Sequence, residues 1–82
     1  MNLKDIKTAY FLGIGGIGMS AIARYFKSLG IAVHGYDRSQ NDFTSQLIAE
    51  GFNIRFYEDV QNIPKEIISS PKESIVIYTP AI

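Results

Sequence analysis

At 82 residues, with eight basic and eight acidic side chains, the chain is sized for one domain and carries no formal net charge. That balance gives no electrostatic case for nucleic acid or an anionic membrane as partner. Cysteine is absent, which excludes a disulfide framework and thiolate chemistry and suits a reducing cytoplasm, while 46% hydrophobic and 20% charged residues are ordinary for a globular protein.

The amino end mimics a secretory signal: Lys4 and Lys7, an apolar stretch from Thr8 to Ile22, and Ala21-Ile22-Ala23. Asp5 interrupts the basic part, spaced glycines break the apolar stretch, and cleavage would delete the best strand. The signal is therefore rejected. No run approaches the ~20 unbroken apolar residues of a membrane-spanning helix.

Thr8 to Leu12 reads as a buried first strand. A helix is expected from Ile17 to Leu29, with Gly18, Ile22, Phe26 and Leu29 inward and Ser20, Arg24, Lys27 and Ser28 outward. Gly30 ends it, and Ile31 to Tyr36 gives a second strand closing at Asp37. Ser39-Gln40-Asn41-Asp42 is turn and cap material before a helix from Phe43 to Glu50, with Phe43, Leu47 and Ile48 inward and Gly51 as terminator. Asn53 to Tyr57 is a third strand. Pro64 and Pro71 bracket one short helix, Lys65 to Ser69, and Ser74 to Tyr78 is a fourth strand. Tyr10, Phe11, Phe26, Phe43, Phe52 and Phe56 sit at core spacing.

Strand–helix alternation implies parallel strands with right-handed crossovers. The expected fold is α/β, a Rossmann-like three-layer domain over residues 1–82 with strand order 3-2-1-4. Sheet and chain both stop after the fourth strand, and Thr79-Pro80-Ala81-Ile82 reads as the start of a loop. The chain is therefore expected to be a fragment of something larger.

Between the first strand and first helix lies Gly13-Ile14-Gly15-Gly16-Ile17-Gly18-Met19-Ser20. Gly13, Gly15 and Gly18 fit G-x-G-x-x-G in its required strand-to-helix setting. Gly13 is expected to permit the tight turn, Gly15 the approach of a pyrophosphate, and Gly18 close helix–strand packing. Gly16 clears more room. No cation lies within the loop, so backbone N–H groups from Gly16 through Ser20 are expected to hold the anion, aided by the Ser20 hydroxyl and the helix dipole. The bland alternative is a glycine-rich turn that serves packing alone.

Asp37 follows Gly18 by 19 residues and ends the second strand, where a carboxylate accepts hydrogen bonds from a ribose hydroxyl or a base N–H. It also fits a plain cap or turn. Arg38 suits either a phosphate or a solvated surface. His34, the sole histidine, reads as a strand side chain, and no metal site is arguable.

The run from Phe11 to Ala23 is more specific than the glycine pattern alone and closely resembles the amino-terminal signature of the Mur ligases. Gly35-Tyr36-Asp37 resembles that family's second-strand ending, and Ile77-Tyr78-Thr79-Pro80-Ala81-Ile82 its fourth-strand ending. The resemblance implies binding of the UDP part of UDP-N-acetylmuramate. Gly13, Gly15, Gly16, Ile17, Gly18, Met19 and Ser20 would hold the diphosphate. Asp37, Arg38 and Ser39 would border the uridine, and Thr79, Pro80 and Ala81 would lie close by. One departure is that Phe56-Tyr57-Glu58 stands where many members carry Gly-His after the third strand, so no histidine contact carries over.

The resemblance also implies a full protein that phosphorylates the muramic carboxylate with ATP and lets L-alanine attack the acyl phosphate, with Mg2+ and separate central and carboxyl-terminal domains. No glycine here is followed by Lys-Ser or Lys-Thr, so this chain is expected to bind substrate and catalyse nothing. Two other readings stay open: a nicotinamide-dinucleotide domain with Asp37 on the adenosine ribose, and a small module that binds nothing. A bulky residue at Gly15 is expected to abolish binding and leave the fold largely intact.

Overall fold

A computed structural model describes residues 3–57 and 63–78. Four strands, β1 (Thr8–Leu12), β2 (Ala32–Tyr36), β3 (Asn53–Arg55) and β4 (Ser74–Tyr78), alternate with three helices, α1 (Met19–Ser28), α2 (Asp42–Ala49) and α3 (Lys65–Ser69). Short 3-10 turns at Leu3–Asp5 and Pro71–Glu73 precede β1 and β4. All pairings are parallel, and the sheet order is β3-β2-β1-β4, as expected. Leu12 pairs with both Tyr36 and Tyr78, so the first, second and fourth strands finish level.

β1 lies between two partners, which explains its unbroken apolar run: Thr8 through Phe11 are all buried. Helices α1 and α2 pack on each other and on β1, β2 and β3, whereas α3 packs on β1 and β4. The chain reverses its direction across the sheet after β3. Right-handed crossovers therefore put α3 on the face opposite α1 and α2. The core gathers Phe11, Ile14 and Leu47, all fully buried, and Phe11 meets Phe26 edge to face at 5.6 Å between ring centres.

Two helix faces differ from expectation. The buried side of α1 carries Met19, Ser20, Ala23 and Phe26, while Ile22 and Leu29 are 41% and 47% exposed. The two stripes share Phe26 and have similar helical spacing. The one with Ser20 and Ala23 wins because small side chains let the helix lie close to the sheet. The helix also starts two residues later than expected, after the loop has turned on Gly18. On α2, Thr44 and Leu47 are fully buried, whereas Phe43 and Ile48 are half exposed. β3 holds three residues rather than five.

The outer end of α1 is tied to the end of α2. Arg24 grips Glu50 through two hydrogen bonds of 2.8 and 2.7 Å, which hold the Glu50 carboxyl below its ordinary range. Lys27 donates to the Glu50 carbonyl at 2.7 Å and lies over the Phe52 ring.

The sheet borders contrast. β3 is short and exposes Asn53 and Arg55. β4 is five residues long and uncharged, with Val76 and Tyr78 exposed.

Candidate functional site at the start of α1

The loop from Gly13 to Gly18 leaves the end of β1 and is anchored at its base. Gly13 and Ile14 both donate their N–H groups to the Tyr36 carbonyl, at 2.7 and 3.1 Å. The Ile14 side chain is buried against Gly35 of β2, where a Cβ would stand only 2.5 Å from Ile14 Cδ1. Gly35 is thus glycine so that the loop can be pinned to the neighbouring strand.

The next amide is also committed. Gly15 donates its N–H to Asp37 Oδ2 at 2.9 Å, and Ser39 donates its N–H to Asp37 Oδ1 at 3.0 Å. Asp37 is itself buried, and its own N–H goes to the Arg55 carbonyl. Its carboxylate therefore braces the glycine loop from the end of β2, a duty that spacing alone did not reveal. Two oxygens offer about four acceptor positions, so capacity remains beyond these two bonds.

Of the amides expected to hold the anion, Gly16 donates to Gly13 O at 2.9 Å, Met19 to Gly16 O at 3.0 Å, and Ser20 to Gly16 O at 3.5 Å. No acceptor among the described residues takes the N–H of Ile17 or Gly18. The α1 N-terminus also has no side-chain cap. The N-terminus of α2 differs: Asn41 Oδ1 accepts the Thr44 N–H, and the Thr44 hydroxyl oxygen accepts the Asn41 N–H. One helix is closed by its own side chains, and the other presents bare donors and the positive end of its dipole.

Gly13 serves the tight turn expected of it, whereas Gly15 and Gly18 have other reasons than those expected. Gly13 and Gly18 have φ of 86° and 85°, a conformation that disfavours any side chain. A Cβ on Gly18 would meet nothing within 4 Å, so Gly18 serves the turn and not close packing. A Cβ on Gly15 would lie 2.5 Å from Thr44 Cγ2 and 3.0 Å from Asp37 Oδ2. Gly15 lets α2 seat on the loop, so a bulky residue there would disturb the fold as well as the site.

The structure brings Gly13, Gly15, Gly16, Ile17, Gly18, Met19, Ser20, Asp37 and Ser39 into one region. Ile17 is 92% exposed, whereas Met19 and Ser20 are buried. Arg38 is exposed on the turn after β2. Thr79, Pro80 and Ala81 lie outside the described residues. His34 is a strand residue whose Nδ1 lies 3.4 Å from Asn53 Nδ2. Among the described residues no group of three His, Cys, Asp or Glu side chains is placed to hold a metal, and no helix is long and apolar enough to cross a membrane. Sequence reading missed the closeness of Thr44 to Gly15, which no local spacing signals.

A family model described as Mur ligase family, catalytic domain, matches residues 8–82. The chain is 52% identical over 77 residues to the UDP-N-acetylmuramate--L-alanine ligase of Porphyromonas gingivalis, covering 94% of this chain and 17% of that protein. It is 48% identical over 82 residues to the ligase of the same name from Flavobacterium johnsoniae, covering 100% and 18%. The corresponding figures for Christiangramia forsetii are 43% over 81 residues, 99% and 18%. The chain thus spans under a fifth of the length of these curated relatives.

Proposed function

Because this chain belongs to the Mur ligase family, we propose that it binds the UDP part of UDP-N-acetylmuramate at the start of α1. The observation that carries this reading is the pair of uncommitted amides at Ile17 and Gly18 on a helix with no side-chain cap. A diphosphate there meets donors whose geometry is already fixed by the loop's anchorage to Tyr36 and Asp37. Binding need not order a flexible loop, so little of the interaction energy is lost to entropy. Each charge-assisted bond contributes about 1.5–3 kcal/mol, so two amides suffice for measurable affinity.

Asp37, with Arg38 and Ser39, borders the nucleoside in this reading, and the family resemblance assigns Thr79, Pro80 and Ala81 to the same substrate. In the whole protein the bound substrate would present its muramic carboxylate for phosphorylation by ATP with Mg2+, and L-alanine would attack the acyl phosphate. That chemistry belongs to central and carboxyl-terminal domains in a cytoplasmic enzyme. This chain has no G-x-x-x-x-G-K-[ST] loop for ATP, and its contribution is to hold substrate.

Titration of the 15N-labelled protein with UDP-N-acetylmuramate, UDP and NADH tests the reading. The UDP ligands are expected to shift the Ile17 and Gly18 amide resonances most. Stronger shifts there with NADH would replace it with a dinucleotide site.

A further inference from the structure

We propose that helix α2 aims the two free amides of the anion site, with Arg24 and Glu50 as positioning residues. The inference rests on the UDP reading above for its ligand and goes beyond it to side chains outside the site. Among the described residues no side-chain contact holds the pair that carries these amides: Ile17 is 92% exposed, and a Cβ on Gly18 would meet nothing within 4 Å. Their placement therefore comes from what flanks them, Gly15 on one side and α1 on the other. Helix α2 touches both flanks. At its start Thr44, fully buried, sets its methyl over Gly15. At its end the Glu50 carboxylate accepts two hydrogen bonds from Arg24 of α1, and the Glu50 carbonyl accepts one from Lys27.

Helix α2 thus splints the loop to the helix that the loop opens. Arg24 lies six residues beyond Gly18, about 9 Å along the helix axis. A tilt of α1 by about 6° over that lever shifts the free amides by about 1 Å, which takes a hydrogen bond out of its working range. The fork between Arg24 and Glu50 is planar and bidentate, so it fixes an angle as well as a distance. Both side chains are partly exposed, so the pair contributes little to folding and its effect on binding can be read separately.

Glu50→Ala opens the fork and also removes a negative charge. Charge alone would then strengthen anion binding, whereas lost positioning weakens it, so the sign of the change separates the two. Arg24→Lys keeps the charge and loses the planar fork. Residual dipolar couplings of the ligand-free protein read the Ile17 and Gly18 N–H directions against β1, and calorimetry reads the affinities for UDP and inorganic pyrophosphate. Both variants are expected to stay folded and to turn those two N–H bonds relative to β1. They are expected to bind both ligands about two- to fivefold more weakly, the scale of one exposed bidentate pair. Tighter binding by Glu50→Ala, unchanged affinities in both variants, or unchanged N–H directions would overturn the role of α2 and leave the UDP site standing. A wild-type protein that binds neither ligand would remove the UDP reading, and the N–H directions would still decide whether α2 aims the amides.

Discussion

The methyl group of Thr44 fills the space that a side chain on Gly15 would need: Thr44 Cγ2 lies 2.5 Å from the position of a Gly15 Cβ. Helix α2 is thereby seated against the glycine loop, with the Thr44 methyl occupying the space over Gly15. Gly15→Ala is expected to destabilise the fold by about 1–3 kcal/mol, the usual cost of overpacking. Thr44→Ser removes the methyl and keeps the capping hydroxyl, so the double variant should recover much of the loss. Urea unfolding midpoints of the two single variants and the double variant measure the coupling, and strictly additive losses would refute it.

The brace from Asp37 to the loop has its own signature. Asp37→Asn keeps the shape but turns one acceptor oxygen into a donor, so either Gly15 or Ser39 loses its partner. The expected cost is about 1–3 kcal/mol, the range for an unsatisfied buried group. Amide hydrogen exchange at Gly15 and Ser39 should accelerate by more than the global loss of stability explains. Unchanged exchange at both positions would show that the brace contributes nothing.

Leu47 is fully buried beneath α2, with Phe52 and Ile54 in the same apolar cluster. Leu47→Ala is expected to cost about 2–5 kcal/mol. Ile48→Ala on the same helix, at a half-exposed position, should cost far less. Thermal unfolding of the two variants checks the facing of α2, and a reversed order would refute it.

Tyr10 titrates above its ordinary value of 10.0, first because burial disfavours the phenolate and second because of the charge on Tyr36. The folded value lies above the unfolded one, so its contribution to stability is complete below the unfolded value near pH 10 and is lost as pH rises through the folded value. Tyr10→Phe should flatten the alkaline limb of stability against pH and leave the neutral region little changed. An alkaline limb identical to that of the wild type would refute the assignment.

Much of the fold was legible because its signals are local. The apolar run at Thr8–Leu12, the helix bracketed by Pro64 and Pro71, and the β-rich stretch at Ser74–Tyr78 all have the bounds expected of them. Alternation of elements and the handedness of crossovers then gave the strand order. The inward face of α1 was not legible, because two overlapping stripes satisfy the same helical spacing and tertiary close approach chooses between them. The duty of Gly15 was hidden for a similar reason: the atoms that require it to be glycine belong to Thr44 and Asp37. The glycine motif marked the place of the proposed site, and the hydrogen bonds around it leave the Ile17 and Gly18 amides without an acceptor among the described residues.

Among the described residues the sheet's two rims differ in character. At β3 the rim is short and carries an arginine, whereas β4 runs for five uncharged residues, the kind of edge that pairs with other strands when left uncovered. For a protein limited to these residues, lateral pairing along β4 is expected in concentrated solution, and Val76→Lys should suppress it, as light scattering would read.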